Sequence, residues 1–297
     1  MGAPDTSSDR PYASVIIPHL DDPRRLARCL RALHAGGAEA MAGIEVIVVD
    51  NGSRRLLGLV LKPFPDVRVV YEPKRGAAHA RNRGVAVSRA PRLWFLDADT
   101  VPAPDWPCQA RRHAARAAIV AGRVTVFDER PPPRTGAEAF EAVFAFDCAA
   151  YVRKGFSVTA NLLTTRVVFD HVGPFHDGVA EDKDWCARAR ARGASIAYAP
   201  DLAVAHPSRA DWEALQRKWK RLSREHWSSY RDRRGGRLLW GLRAGAVAAS
   251  GLAHVPRVIA SDRLGGAGDR ARGAATLLAI RTRRALWMMQ QVAGREV

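Results

Sequence analysis

The stretch LWFLDADTVPAPDW, Leu93 to Trp106, decides how the chain is read. Four apolar residues, Leu93 to Leu96, run directly into two carboxylates, Asp97 and Asp99, one alanine apart. A short apolar run that stops on acid and polar residues reads as a buried strand opening into a turn. Side chains alternate faces along extended backbone, so positions 97 and 99 point to the same side. Two carboxylates that close repel unless a proton or a cation lies between them. The turn is either solvated or half of a metal site.

Upstream, ASVIIPHL (13–20) is a β-branched run ended by Pro18, and DDPRRLARCLRALHAGG (21–37) follows it. Acids and a proline at its start, Leu26, Leu30 and Leu33 at helical spacing, and closing glycines predict a capped amphipathic helix. IEVIVVDNGS (44–53) and VRVVYEP (67–73) read as further strands, and GAAHARNRGVAVSRA (76–90) as a helix before the RLWFL strand. Strands alternating with helices predict an α/β fold with a doubly wound, mostly parallel sheet. Ligands bind such sheets beyond the carboxyl ends of the strands. The turns Asp50-Asn51-Gly52-Ser53 and Asp97-Ala98-Asp99 both fall there.

Further on, AIVAGRVTVFDERPPP (118–133) predicts a strand and a loop, and AFEAVFAFDCAAYVRKG (139–155) a helix. EDKDWCARARARGASIAYAP (181–200) predicts a helix ending at Gly193 and then a strand. From about Ala210 the character changes, with Trp212, Leu215, Trp219 and Leu222 on one face of a long basic helix.

The formal net charge is +17, and it is unevenly spread: from Arg217 onward there are 18 Lys and Arg against 5 Asp and Glu. A near-neutral domain followed by a basic tail predicts that the tail meets an anionic surface, nucleic acid or anionic lipid. The four cysteines, Cys29, Cys108, Cys148 and Cys186, include no CxxC pair, which argues against a zinc knuckle or disulfide framework and fits a reducing cytosol. The first residues, MGAPDTSSDRPYAS, hold no apolar run of the kind a signal peptide has; Met1-Gly2 allows myristoylation, but a disordered start accounts for it as well. No stretch reaches the roughly 18 to 20 apolar residues needed to span a bilayer.

Six segments, in order, carry a resemblance to the inverting nucleotide-sugar transferases of glycosyltransferase family 2, which have the GT-A fold. They are ASVIIPHLDDPRRLARCLRAL, IEVIVVDNGS, GAAHARNRG, LWFLDADTVPAPDW, VGPFHDGVAEDKDWCARARARG and AVAHPSR, within roughly residues 12 to 207. The resemblance implies a GT-A domain over 12–209; outside it the residues themselves read as a disordered start over 1–11 and a basic amphipathic helical extension over 210–297. It implies a nucleoside-diphosphate sugar as donor and a divalent cation, Mn²⁺ or Mg²⁺, against the diphosphate. Asp99 is implied as direct metal ligand, Asp97 as a contact to ribose or metal-bound water, and His206 as a third ligand or diphosphate contact. Asp50 is implied as a nucleotide contact. The family often has a second acid where this chain has Asn51, so the nucleotide contact expected of Asn51 is weaker or differently selective. The family usually has an aromatic with Asn or Glu soon after the proline, where this chain reads His19-Leu20-Asp21, and Pro18 and His19 are still expected to line the pocket mostly through backbone. Arg81 is either under the diphosphate or in an ion pair on the helix surface. Asp182 is implied as catalytic base, with Glu181 as the alternate.

Two residues have softer readings: Trp185 is either acceptor wall or core, and Asn161 is a candidate for touching the donor sugar or acceptor. Asp184 and Arg188, at i,i+4, read as a structural ion pair. In the tail, RLLWGLRAGAVAASGLAHVPRVIA and GAATLLAIRTRRALWMMQQVAG fit helices in a membrane interface with Trp240 and Trp287 at headgroup depth, or an ordinary extension packed on the core. The membrane alternative implies a cytoplasmic protein, peripheral at the inner face, acting on a lipid-linked or cell-envelope glycan acceptor. A nucleic-acid platform is disfavoured because the tail's tryptophans alternate with leucines on helical faces. A nucleotidyltransferase needs an early glycine-rich loop, and IIPHLDDP has no glycine. The acids and His206 argue against an inactive scaffold.

Overall fold

The computed structural model describes residues 10–54 and 57–297. Most of the expected unstructured start, residues 1–9 and with them Gly2, lies outside the described residues. The first half runs β1 (Ala13–His19), α1 (Pro23–Leu33), α2 (Gly37–Met41), β2 (Ile44–Asp50), α3 (Gly58–Leu61), β3 (Val67–Tyr71), α4 (Ala77–Val87), β4 (Arg92–Leu96), β5 (Val101–Pro102) and α5 (Trp106–His113). Then come β6 (Ile119–Phe127), α6 (Gly136–Phe144), α7 (Cys148–Arg153), β7 (Asn161–Thr165), α8 (Arg166–Val172), α9 (Glu181–Ala191) and β8 (Ile196–Pro207). Four helices close the chain: α10 (Trp212–Arg231), α11 (Gly236–Ala253), α12 (Val255–Ile259) and α13 (Ala267–Val292).

Among the described residues, eight strands form one sheet in the order β3-β2-β1-β4-β7-β6-β8-β5. The pairs β3/β2, β2/β1 and β1/β4 are parallel, as the βαβ spacing predicts. Beyond β4 the sheet turns mixed: β4/β7, β7/β6 and β5/β8 are antiparallel. A strand buried on both faces needs a continuous apolar sequence, and Val15, Ile16, Ile17, Ile47, Val48, Leu93, Trp94 and Phe95 are all fully buried. Helix α1 starts as its sequence dictates: Asp22 Oδ1 accepts from the Arg25 N–H at 3.1 Å, Pro23 fills the first turn, and Leu26, Cys29, Leu30 and Leu33 face inward. Helix α4 lies close on β1 and β2 because Gly84 has no side chain; a Cβ there would come within 3.1 Å of Val49 Cγ2.

The chain divides into two compact units, 1–125 with 147–177 and 181–206, and 126–146 with 178–180 and 207–297. The second is helical and includes α6. Its core joins Phe140, Val143, Leu215, Val258, Leu277 and Ile280, with a second cluster around Trp240, Ala244 and Met288. Trp240 and Trp287 do not sit at a headgroup surface. They are 1% and 8% exposed, and the Trp240 Nε1 donates to Gln291 Oε1 at 2.9 Å, so the Trp240 ring holds α11 to α13. No helix among the described residues is long and apolar enough to cross a membrane.

Candidate active site

The Asp97-Ala98-Asp99 turn is fixed from below. Fully buried Thr100 donates its N–H (3.1 Å) and its hydroxyl (2.7 Å) to the Asp97 carbonyl, which also accepts from the Cys29 thiol at 3.7 Å. Burial pushes the Cys29 thiol up to about 12, so it packs as an inert side chain. The chain then enters β5, whose antiparallel register with β8 sets Val101 opposite Ala205 and Pro102 opposite Val204. That register brings His206, more than a hundred residues away in sequence, beside the turn. The His206 Nε2 lies 3.3 Å from Asp99 Oδ2. Ligand atoms of Asp97, Asp99 and His206 all fall within 4.8 Å of one another. Two hard carboxylate oxygens and one imidazole nitrogen form a donor set that fits Mg²⁺ or Mn²⁺, with the imidazole favouring Mn²⁺.

Arg81 links this turn to α9. It is 4% exposed, deep on α4, and neither under open solvent nor on a helix surface. Its Nη2 is 2.6 Å from Asp97 Oδ1 and its Nη1 pairs with Glu181 Oε1, while its Nε has no partner. Burial disfavours the guanidinium charge, but Glu181 and then Asp97 outweigh it and raise its pKa. The next residue, Asp182, lies in the first turn of α9, where its Oδ1 accepts from the Lys183 N–H at 2.9 Å. Burial first, and the Glu181 charge second, push its carboxyl up to about 6. A carboxylate at that value is matched to proton transfer near neutral pH.

The other acidic turn is tied to the end of β1. Asp50 Oδ1 accepts from Ser53 N at 2.9 Å, with Gly52 at φ +83 closing the turn. His19, 2% exposed, accepts the Asp22 N–H on Nε2 at 3.2 Å, and its Nδ1 lies 3.3 Å from Ser53 Oγ. Burial lowers its pKa, which keeps it neutral. Pro18, just before it, is half-buried. Asp21 sits at φ +53, donates its N–H to Ser53 Oγ (2.9 Å) and accepts the Arg54 N–H on Oδ1 (2.6 Å). Asp21 and Ser53 are the residues that sequence reasoning missed; the doublet Asp21-Asp22 reads as helix capping, and only its second member caps.

Three expected site residues turn out to be scaffold. Asn51, 5% exposed, donates its amide to the Glu72 and Lys74 carbonyls (3.0 and 2.8 Å) and accepts the Gly76 N–H (2.8 Å). It folds the segment 72–76 against the turn and has no donor left for a base. Asn161 is fully buried: it accepts from Trp106 Nε1 (3.0 Å) and donates to the Arg123 and Leu202 carbonyls (3.1 and 2.9 Å), so it touches neither donor sugar nor acceptor. Trp185 is core, fully buried, stacked on Phe169 and bonded through Nε1 to the Gly173 carbonyl at 2.9 Å. Asp184 and Arg188 form the expected ion pair at 2.9 Å.

The family model Glycosyl transferase family 2 matches residues 14–175. The glycosyltransferase AglE of Haloferax volcanii is 27% identical over 224 residues, 72% of this chain and 73% of that protein. The mannosyltransferase PcManGT from Pyrobaculum calidifontis, solved in complex with GDP-Man and Mn²⁺, superposes with a TM-score of 0.59 at 19% identity, over 97% of this chain and 87% of that one. S. aureus TarS 1-349, solved with UDP-GlcNAc, gives 0.53 at 14% identity over 95% of this chain and 92% of that one. A sheet of this topology, with its acids at the strand ends and a family match over more than half of the residues, makes the chain a member of glycosyl transferase family 2 and an enzyme of the glycosyltransferase class.

Proposed function

We propose that the chain transfers a sugar from a nucleoside-diphosphate sugar to an acceptor hydroxyl with inversion, with Asp182 as general base. The observation that carries this reading is the Arg81 bridge, which ties the Asp97 turn to the helix start bearing Asp182. Asp50 and the end of β1, Pro18 and His19, are assigned to the nucleotide, and Asp97 to its ribose or to a metal-bound water. A divalent cation held by Asp99 and His206, with Asp97, would supply Lewis-acid neutralisation of the leaving diphosphate. Glu181 is engaged by Arg81, which supports Asp182 over Glu181 as the proton acceptor. As the acceptor oxygen bonds to the anomeric carbon, that proton passes to Asp182 and the sugar–diphosphate bond breaks on the opposite face. The base works only when ionised, so activity should fall as pH drops through about 6.

A thermal-shift panel of nucleoside-diphosphate sugars tests the donor class, since a ligand bound only by the folded state raises the melting temperature. At least one is expected to stabilise the protein with Mn²⁺ present, and Asp99→Ala should abolish that shift. No stabilising nucleotide sugar, or an equal shift in the variant, defeats the reading.

The acceptor is proposed to be a lipid-linked or cell-envelope glycan met at the inner face of an anionic membrane. What supports this is α11: Leu238, Leu242 and Leu252 are 70%, 64% and 71% exposed on a helix whose only charged residues are Arg237 and Arg243. Changing all three leucines to serine should abolish flotation with anionic vesicles; unchanged flotation would contradict it.

A further inference from the structure

The helical unit holds basic side chains that its own acids do not neutralise. Arg284, on α13, is 8% exposed, and its guanidinium carbon stands 3.9 Å above the Trp219 ring of α10. It makes no ion pair or hydrogen bond with any described residue, and its Nε is buried without an acceptor. Arg281, one turn earlier on the same face, likewise has a buried Nε without an acceptor. Opposite Arg281 on α11 stands Gly251, where an added Cβ would come within 3.4 Å of the Arg281 Cβ. Burial, followed by repulsion from Arg281 and Arg243, lowers Arg284 to about 9. His254, whose Nδ1 is also buried and unpartnered, is lowered by burial, then by Arg281 and Arg257. Cation–π contact with Trp219 compensates part of the desolvation, but a buried cation is ordinarily matched by an anion.

We propose that Arg284 and Arg281 form a binding site for a phosphate group in the helical unit. Arginine's planar fork matches phosphate oxygens, and the Trp219 ring covers one face of the Arg284 guanidinium while leaving its in-plane N–H groups for a ligand. A lipid headgroup and a free phosphate offer the same chemistry.

The test uses the full chain, with divalent cations chelated and no nucleotide, as wild type, Arg284→Met and Arg237→Gln; Arg237 is an exposed arginine at the start of α11. One arm follows the melting temperature during titration with inorganic phosphate at constant ionic strength. The other measures partitioning onto phosphatidylcholine vesicles with and without phosphatidylglycerol. Without anion, Arg284→Met should melt above the wild type, because an uncompensated buried cation has gone. The wild type should respond to one of the two probes, to free phosphate if the ligand is soluble or to phosphatidylglycerol alone if it is a headgroup. Arg284→Met should lose that response, and at the vesicle by clearly more than the fivefold or so expected for any one arginine near an anionic surface. Arg237→Gln sets that general loss. If Arg284→Met melts below the wild type and keeps its response, or if Arg237→Gln loses as much as Arg284→Met, the site is overturned.

Discussion

Arg81→Met removes one cation and keeps most of the side-chain volume. In the wild type Arg81 is 4% exposed, between Asp97 and Glu181, whose side chains are 29% and 22% exposed. Unit charges about 4 Å apart attract by about 4 kcal/mol at an effective dielectric of 20, and removing one partner from a buried pair costs about 3–5 kcal/mol. Water reaches both carboxylates, which screens the interaction and brings the expectation to about 2–3 kcal/mol. That corresponds to a fall in melting temperature of roughly 5–10 °C. A second effect falls on Asp182. Its pKa is raised by burial and by Glu181, and the Arg81 charge opposes them. Without Arg81 the acid limb of kcat/KM should move upward from about 6, leaving the variant disproportionately inactive in mildly acidic buffer. Arg81→Lys retains a charge without the two-pronged contact and should fall between. Calorimetry and a pH–rate profile on the same preparations read both effects. A methionine variant that melts with the wild type and keeps its acid limb refutes the bridge.

Other substitutions separate scaffold from site. Asn161→Leu should destabilise by about 3 kcal/mol, because it strands the buried Trp106 indole N–H and Leu202 carbonyl and the part-buried Arg123 carbonyl. Denaturant titration reads the loss, and KM for either substrate should stay unchanged in the folded fraction. Glu141, 1% exposed, accepts from Lys218 (2.8 Å) and from Arg209 (3.0 Å) in the helical unit. Glu141→Gln should cost about 3–5 kcal/mol, and adding Lys218→Met should recover part of it; an unchanged melting curve for the single variant would contradict the buried triad.

The parallel half of the sheet could be read in the sequence because each βαβ unit advertises itself: continuous β-branched runs, a capped helix at Asp22-Pro23, and acids where strands end. The antiparallel half could be read only in part: the strands that became β6 and β8 are predicted, but not β5 or β7, nor the antiparallel pairing. The strand NLLTT is five residues long, starts on a buried asparagine and ends on threonines, so it carries neither alternation nor a long apolar run. The segment 139–155 reads as one helix but is two, α6 and α7, broken before Asp147, which caps the second by accepting from Ala150 N at 3.0 Å. A Thr135–Glu138 capping box starts the first, a signal present in the sequence as TGAE. In the site, Asp97, Asp99 and His206 were legible as residue types, but their convergence depends on the β5/β8 register, which no local pattern encodes. Polar residues such as Asn51 and Asn161 look alike in sequence whether they bind a ligand or satisfy backbone. Only the partners around them decide.

Asp182 is proposed to take the acceptor's proton at a site where Asp97, Asp99 and His206 would hold a cation. Asp182→Asn, assayed with whichever nucleotide sugar stabilises the wild type, tests it most directly. Transfer should fall by two to four orders of magnitude, roughly the contribution of a positioned general base, while Mn²⁺-dependent binding of the donor measured by calorimetry stays within about threefold. A variant that still transfers sugar at a comparable rate, or one that loses donor binding along with transfer, would contradict the account.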